Sequence, residues 1–392
     1  MKRESTSDSA ILEATITDLA HGGFGIARVK GQVCFVPYAL PGDHISIRLT
    51  RKMRGYTWGT IETILHPSPA RLLATPCPVF GNCGGCSWLH FAYPDQAKWK
   101  QHIVAECFRR IAGIQIEPAW AEDESLRLGY RTRAEFHCDG RNWGFYERQT
   151  HRVVPVTACP LCHPVVNQAV SKLTRISALD SVEVTANPDT GEVLVWSNQP
   201  SSDLETVFPN SDHPGSNKPR ASFSYDERII VNGAFSQSSL LLNRVLVQVV
   251  QNQIGSPNSL LDLYCGNGNL SITYASSIPV VGLDHNEEAV RAAASRGTGD
   301  YRVAPEERFR DALQERTWDV VLLDPPRKGA KTLMPALASC KTGAIVYVSC
   351  DPATLARDAQ ILLAKGWEIS HVAVVDMFPH THHIETVARF VK

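Results

Sequence analysis

From the N-terminal end, apolar and polar residues alternate with a period of two in short runs broken by glycine. ILEATITDL (11–19), IARVKGQVCFVPYALPGDHISIRLT (26–50) and WGTIETIL (58–65) carry this pattern, which strands with one buried face produce. Val29-Lys30-Gly31-Gln32-Val33 places glycine where a tight hairpin turns. About five strands over this stretch predict a small β-barrel of the oligonucleotide-binding type. Pro67 to Pro78 reads as a proline-punctuated connector. Asp95 to Ile114 has helical spacing, with Ile103, Val104, Cys107, Phe108 and Ile111 on one face. Residues 126–198 return to strand-like alternation, and Gln199 to Ser222, rich in Pro, Ser, Asn and Asp, predicts an exposed loop or linker. From about Ile229 the pattern changes to helices alternating with the very apolar runs SLLDLY, PVVGLD, WDVVLLD, GAIVYVS and HVAVVDMF. Runs of that kind are strands buried on both faces, the mark of a parallel α/β sheet.

Composition narrows the class. A chain of 392 residues predicts two or three domains, and 43% hydrophobic residues exclude wholesale disorder. No apolar run approaches the ~18–20 residues of a membrane span. The polar start MKRESTSDSA lacks the apolar centre of a signal peptide. The expected compartment is therefore the cytoplasm, where thiols stay reduced. Eleven cysteines there point to metal binding or catalysis rather than disulfides. A net charge of −1 excludes a uniformly basic nucleic-acid binder but not local basic patches. Met1 to Thr60 holds eight Lys/Arg, beginning with Lys2 and Arg3, against five Asp/Glu, a net of +3. Arg48, Arg51, Lys52 and Arg54 precede Tyr56 and Trp58 with no acid between them. Such interleaving suits phosphate contact and base stacking; a solvated loop accounts for it equally well.

Three features of the C-terminal half carry chemistry. Asp262-Leu-Tyr-Cys-Gly-Asn-Gly-Asn269 follows a strand, and Gly266 and Gly268 let the backbone approach a ligand closely. Asp284 ends the next strand, as does the acid that holds ribose hydroxyls in dinucleotide sites. A third glycine is missing, so the loop fits S-adenosylmethionine better than a dinucleotide; an ordinary tight turn is the plain alternative. Asp324-Pro325-Pro326-Arg327 ends a further strand, its prolines stiffening the loop and withdrawing two amide donors.

Cys350 ends another strand in Val348-Ser349-Cys350-Asp351-Pro352, and substrates bind at the carboxyl ends of such strands. Asp351-Pro352 reads as a helix start whose dipole is expected to lower the thiol pKa. Glu385 follows a histidine-rich turn, Phe378-Pro-His-Thr-His-His-Ile, and is a candidate proton acceptor. Alone, the two are as readily a buried small residue and a surface carboxylate. Together they complete one mechanism. Thiolate addition to uracil C6 makes C5 nucleophilic toward a sulfonium methyl, and a base must then remove the C5 proton before the thiolate leaves. A methylase of adenine nitrogen working through Asp324-Pro-Pro would need neither residue.

Cys77-Pro-Val-Phe-Gly-Asn-Cys83-Gly-Gly-Cys86 is a C-x5-C-x2-C array, and Cys159-Pro-Leu-Cys162 supplies candidates for a fourth ligand. Four thiolates suit zinc or an iron–sulfur cluster, and spacing alone does not separate them.

With these motifs assembled, the chain resembles the bacterial RNA (uracil-C5)-methyltransferases, most closely the 23S ribosomal RNA branch with a TRAM domain and a 4Fe-4S cluster. The resemblance spans essentially the whole chain and rests on CPVFGNCGGC, DLYCGNGN, LLDPPRKG, VSCDPATLARD and DMFPHTHHIE. It implies a Rossmann-like class I methyltransferase domain with a parallel seven-stranded type of sheet, an N-terminal TRAM barrel and a small α+β iron–sulfur domain. The corresponding bounds are 1–66 for the barrel, 67–94 with 122–228 for the central domain, and 95–121 with 229–392 for the methyltransferase. The resemblance makes Cys350 the nucleophile and Glu385 the base, and gives Cys77, Cys83, Cys86 and Cys159 to the cluster. Gln237, Tyr264, Asn269, Asp284 and Asp324 become contacts to S-adenosylmethionine. Tyr130-Arg131-Thr132-Arg133 resembles a stretch beside the target base. No counterpart is evident for the adenine contact after the third strand, around Tyr301 to Glu306. The implied product is 5-methyluridine in 23S ribosomal RNA, with transfer RNA as the alternative substrate. A noncatalytic RNA-binding iron–sulfur protein is the rival from another class.

Overall fold

The computed structural model describes residues 11–176 and 179–392. The polar start of the chain, with Lys2 and Arg3 of the basic count, lies outside the described residues. The chain divides into two compact units, Met1–Ile103 with Phe378–His383, and Val104–Met377 with Ile384–Lys392.

In the N-terminal unit, β1 (Ile11–Thr15), β2 (Asp18–Ala20), β3 (Phe24–Val29), β4 (Gln32–Val36), β5 (His44–Lys52) and β6 (Tyr56–His66) form one sheet in the order β1-β5-β6-β4-β3-β2. This is one strand more than the alternation suggests, because the first run changes partner midway. Ile16 N–H donates to the Asp43 carbonyl and Thr17 N–H to that of Ile26, so β1 pairs with β5 and β2 with β3. Lys30 (φ 49°) and Gly31 (φ 79°) form the expected turn between β3 and β4. Ala27, Cys34, Val36, Ile45 and Ile47 fill the core. Phe24, Phe35, Tyr56 and Trp58 cluster half-buried, with Phe24 and Trp58 edge to face at 4.7 Å. Arg48 is held in a two-pronged ion pair with Glu62, whereas Arg51, Lys52 and Arg54 are exposed. The helix expected from Asp95 is α1 (Tyr93–Cys107), followed by a π-helical turn over Phe108–Ala112.

The larger unit contains β7 (Ala119–Ala121), β8 (Arg133–Cys138), β9 (Trp143–Tyr146), β10 (Val153–Pro155), α2 (Pro164–Leu173), β11 (Ser181–Ala186), β12 (Val193–Trp196), α3 (Ser202–Val207) and β13 (Ser211–Asp212). A second six-stranded sheet, β10-β9-β8-β11-β12-β13, is backed by the apolar face of α2. The stretch expected as an exposed loop contains α3 and β13. Ser201 caps α3 by accepting from Leu204 N–H (3.2 Å), and Leu204 and Phe208 anchor it in this core. A short hairpin follows, β14 (Ser222–Tyr225) with β15 (Arg228–Val231).

The remaining elements are α4 (Leu240–Ile254), β16 (Leu260–Leu263), β17 (Val280–Asp284), α5 (Glu287–Ala294), β18 (Asp300–Val303), α6 (Phe309–Glu315), β19 (Trp318–Leu323), α7 (Met334–Ser339), β20 (Thr342–Ser349), α8 (Pro352–Leu363), β21 (Glu368–Val375) and β22 (Glu385–Val391). They build a sheet ordered β18-β17-β16-β19-β20-β22-β21-β7. All five apolar runs are strands of it. The sheet has eight strands and is not wholly parallel: β22 runs antiparallel to both neighbours, and β7 joins parallel to β21. The nine residues between β21 and β22 are too few for a crossover, which takes a dozen or more, so the chain turns straight back.

Candidate active site

Cys350 directly follows β20, and Glu385 opens β22. These antiparallel strands are paired through Ser349↔Thr386. Cys350 and Glu385 are therefore the next positions on each strand, at the same end of the sheet. Glu385 is 4% exposed. Burial, and then the charge of Asp324, hold its carboxyl well above the usual range, with Arg327 opposing. Burial also pushes the Cys350 thiol up to about 12, assisted by Glu385 and Asp324 and again opposed by Arg327. The thiol lowered by a helix dipole, expected from the sequence, is not found. Asp351 occupies the α8 N-terminus itself, its carboxylate accepting from Ala353 N–H (3.0 Å) and Thr354 N–H (2.9 Å). Burial and two carboxylates outweigh what remains of the dipole.

Asp324 follows β19, and its carboxyl is raised to about 7, first by burial and then by Asp284. The loop it begins is fastened to α8. Ala330 N–H donates to Asp358 Oδ2 (2.8 Å), as does Tyr347 Oη (2.8 Å). Arg357 grips the other carboxylate oxygen and also donates to the Lys328 carbonyl (2.9 Å). Gly329, at φ 72°, is obligatory there: a Cβ would lie 2.5 Å from the Arg357 guanidinium. Asp358 and Tyr347 are fully buried, and sequence reasoning missed them. The available signal was a tyrosine inside the apolar run GAIVYVS, since a buried hydroxyl demands a partner.

The glycine loop lies between β16 and the short helical turns after it. Gly266 N–H donates to Asp284 Oδ2 (2.9 Å), and Asn286 N–H to its other oxygen (2.8 Å). Gly268 packs where a Cβ would meet Ile272 and the Tyr301 hydroxyl at 3.3 Å. Tyr264, at φ 61°, rests its ring edge-on against Phe309. Asn269 exchanges two amide hydrogen bonds with Asn243 of α4 (2.7 and 2.9 Å), which braces the loop and leaves one N–H and one lone pair of its amide. Below the loop Asp262 is 1% exposed, its Oδ2 is without a partner, and burial raises its carboxyl to about 8. An orphaned buried oxygen beside a backbone with room for close approach fits a polar ligand. Gln237 is half-buried between β15 and α4. Beside it Arg133 donates to the Ser236 carbonyl (3.0 Å), pairs with Glu183 (2.6 Å) and lies under the exposed Phe235 ring. Tyr130 is 2% exposed and belongs to the core.

The cysteine array forms a tight loop in which Cys83 N–H donates to the Val79 carbonyl (3.0 Å) and Gly85 N–H to Cys83 Sγ (3.4 Å). Cys159 Sγ accepts hydrogen bonds from the Cys162 thiol and from the backbone N–H groups of Leu161 and Cys162, which bring its thiol down to about 6. Among the described residues no group of three or more His, Cys, Asp or Glu is arranged to hold a metal ion.

Comparison with known proteins decides the family. A profile described as tRNA (Uracil-5-)-methyltransferase matches residues 301–391, a tRNA (uracil(54)-C(5))-methyltransferase TRAM domain matches 12–70, and a methyltransferase small domain matches 229–340. A 23S rRNA (uracil(1939)-C(5))-methyltransferase of Methylococcus capsulatus is 32% identical, covering 97% of this chain and 96% of its own. The chain belongs to the RNA (uracil-C5)-methyltransferase family. Another member, the 23S rRNA (uracil(1939)-C(5))-methyltransferase of Acinetobacter baylyi, is 28% identical over 100% of this chain and 99% of its own. The fold is also that of the Pyrococcus abyssi tRNA (uracil-54, C5)-methyltransferase solved with S-adenosyl-L-homocysteine. That likeness has a TM-score of 0.75 at 24% identity and covers 97% of this chain and 100% of the other. Family membership makes the protein an S-adenosylmethionine-dependent enzyme acting on RNA. Among the described residues no helix is long and apolar enough to cross a membrane.

Proposed function

We propose that the protein forms 5-methyluridine in 23S ribosomal RNA, with Cys350 as nucleophile and Glu385 as base. The observation that carries this reading is the strand register that ends Cys350 and Glu385 side by side. Cys350, once deprotonated, adds to uracil C6, and the ring becomes an enolate with a nucleophilic C5. S-adenosylmethionine, when bound, supplies the methyl group as an electrophilic sulfonium. The Glu385 carboxylate then takes the C5 proton; the electron pair restores the C5–C6 double bond and the Cys350 sulfur leaves as thiolate. Both ring faces must be reached, so the uridine is turned out of its stack.

Asp284 has lone pairs left for ribose hydroxyls, and Gln237, Tyr264, Asn269 and Asp324 complete the proposed cofactor set. Arg51, Lys52 and Arg54 are the proposed phosphate contacts of the barrel. The proposed domains, 1–66, 67–94 with 122–228, and 95–121 with 229–392, each hold one whole sheet, although the β14–β15 hairpin crosses the bound at 228. The compartment this function implies is the cytoplasm. A 4Fe-4S cluster on Cys77, Cys83, Cys86 and Cys159 rests on the cysteine spacing and the family resemblance, and no step above passes through it.

Transfer RNA is the second reading, favoured by the descriptions of the profiles matching 301–391 and 12–70. Mass-spectrometric mapping of 5-methyluridine in both RNA pools, with and without the gene, separates the two. Loss of the mark from 23S RNA alone is expected; loss from transfer RNA alone would transfer the assignment.

A further inference from the structure

The six residues Phe378–His383 belong to the N-terminal unit, although strands of the larger unit flank them in sequence. Within the N-terminal unit they are gripped at several points. Trp88 N–H donates to the His380 carbonyl (3.0 Å). Gln96, fully buried, contacts His380 twice: its Oε1 accepts from the His380 N–H (3.0 Å) and its Nε2 lies 3.1 Å from His380 Nδ1. The same Nε2 donates to the carbonyls of Trp88 and Phe91, which locks the amide. Ser87 Oγ accepts from the His382 N–H (2.8 Å) and lies 3.1 Å from His382 Nδ1. Lys100 stands one helical turn beyond Gln96 on α1, is fully buried, and donates to the Phe378 carbonyl (3.0 Å). Gly23 makes the fit possible, because a Cβ there would lie 2.5 Å from that of His382.

The gripped backbone is also strained. His380 sits at φ 64°, a region that non-glycine residues adopt only when their surroundings over-determine it. A nine-residue connection between antiparallel strands requires no such apparatus. Directly after the gripped segment come Ile384, 1% exposed, and then Glu385.

We infer that Ser87, Gln96 and Lys100 are positioning residues that clamp Phe378–His383, fix the start of β22, and so set the Glu385 carboxylate for removal of the C5 proton. The inference rests on Glu385 being the base. A loosened clamp then slows proton removal and release of Cys350 while leaving thiolate addition and methyl transfer intact.

The test uses the full-length enzyme, methyl-labelled S-adenosylmethionine, and RNA carrying tritium at uridine C5, in single turnover. The variants are Ser87→Ala and Gln96→Leu, with Ser87→Thr retaining the hydroxyl and Glu385→Gln as control. Methyl transfer is expected to stay within about twofold of wild type, while tritium release slows about tenfold, a part of the ~10²–10⁴-fold a placed base contributes. A covalent enzyme–RNA species should persist on denaturing gels, and Ser87→Thr should restore release. Variants that melt and bind S-adenosylmethionine like wild type, yet slow both steps equally or neither, would overturn the inference. If Glu385→Gln leaves an adduct and the clamp variants leave none, the inference alone falls; if the control leaves none, the base reading falls with it.

Discussion

Cys350 faces two carboxylates and one guanidinium, and these charges set when its sulfur becomes reactive. With the thiol raised to about 12, little thiolate exists at neutral pH, and reactivity rises with pH toward that value. Removing a neighbouring negative charge lowers the thiol pKa, and removing the positive one raises it. Iodoacetamide labelling of the Cys350 peptide, followed by mass spectrometry at pH 8, should therefore be faster in Asp324→Asn, whose carboxyl is ionised there, and slower in Arg327→Gln. A change of about threefold to tenfold corresponds to half to one pKa unit. This residue-level electrostatics was not legible in the sequence. Ser-Cys-Asp-Pro announces a helix start, but not that Asp351 neutralises it or that Glu385, thirty-five positions on, adds its charge.

At the scale of elements, α8 links the parts of the site. Its first turn is capped by Asp351 beside Cys350, and its second turn carries Arg357 and Asp358, which fasten the loop of Asp324 and Arg327. Asp351→Ala should cost about 1 kcal/mol, a drop of about 2–4 °C in melting midpoint. The same change frees the helix N–H groups and should speed Cys350 labelling, which separates it from a purely destabilising substitution. The apolar runs of the C-terminal sheet were legible because strands buried on both faces leave little room for polar residues. The antiparallel return of β22 is hidden from such runs, which look alike in either direction; only the short span after HVAVVDMF contained it. α3 was obscured by the proline- and serine-rich stretch around it, where only the cap at Ser201 and the anchor Leu204 marked a helix. The Gln96–His380 contact joins residues 284 positions apart, and no local periodicity encodes such a pair.

At the scale of the whole molecule, near-neutral net charge is compatible with an RNA enzyme because the exposed cations Arg51, Lys52 and Arg54 are gathered in the barrel. The cysteines divide similarly by place. Five have proposed roles in chemistry or ligation, and the others include Cys34, buried in the barrel core. Anaerobically purified protein should carry about four iron and four sulfide per chain if the cysteine array holds its cluster. Metal analysis that returned zinc alone would remove that assignment and leave the methyl-transfer chemistry untouched.

The central claim is that Cys350 and Glu385 act in sequence on one uracil ring. Glu385→Gln, incubated with S-adenosylmethionine and substrate RNA, tests it directly. The predicted result is an adduct stable to denaturation, with methylated uridine bound through Cys350 in the digested peptide. Normal turnover without an adduct, or a bond to any other residue, would contradict it.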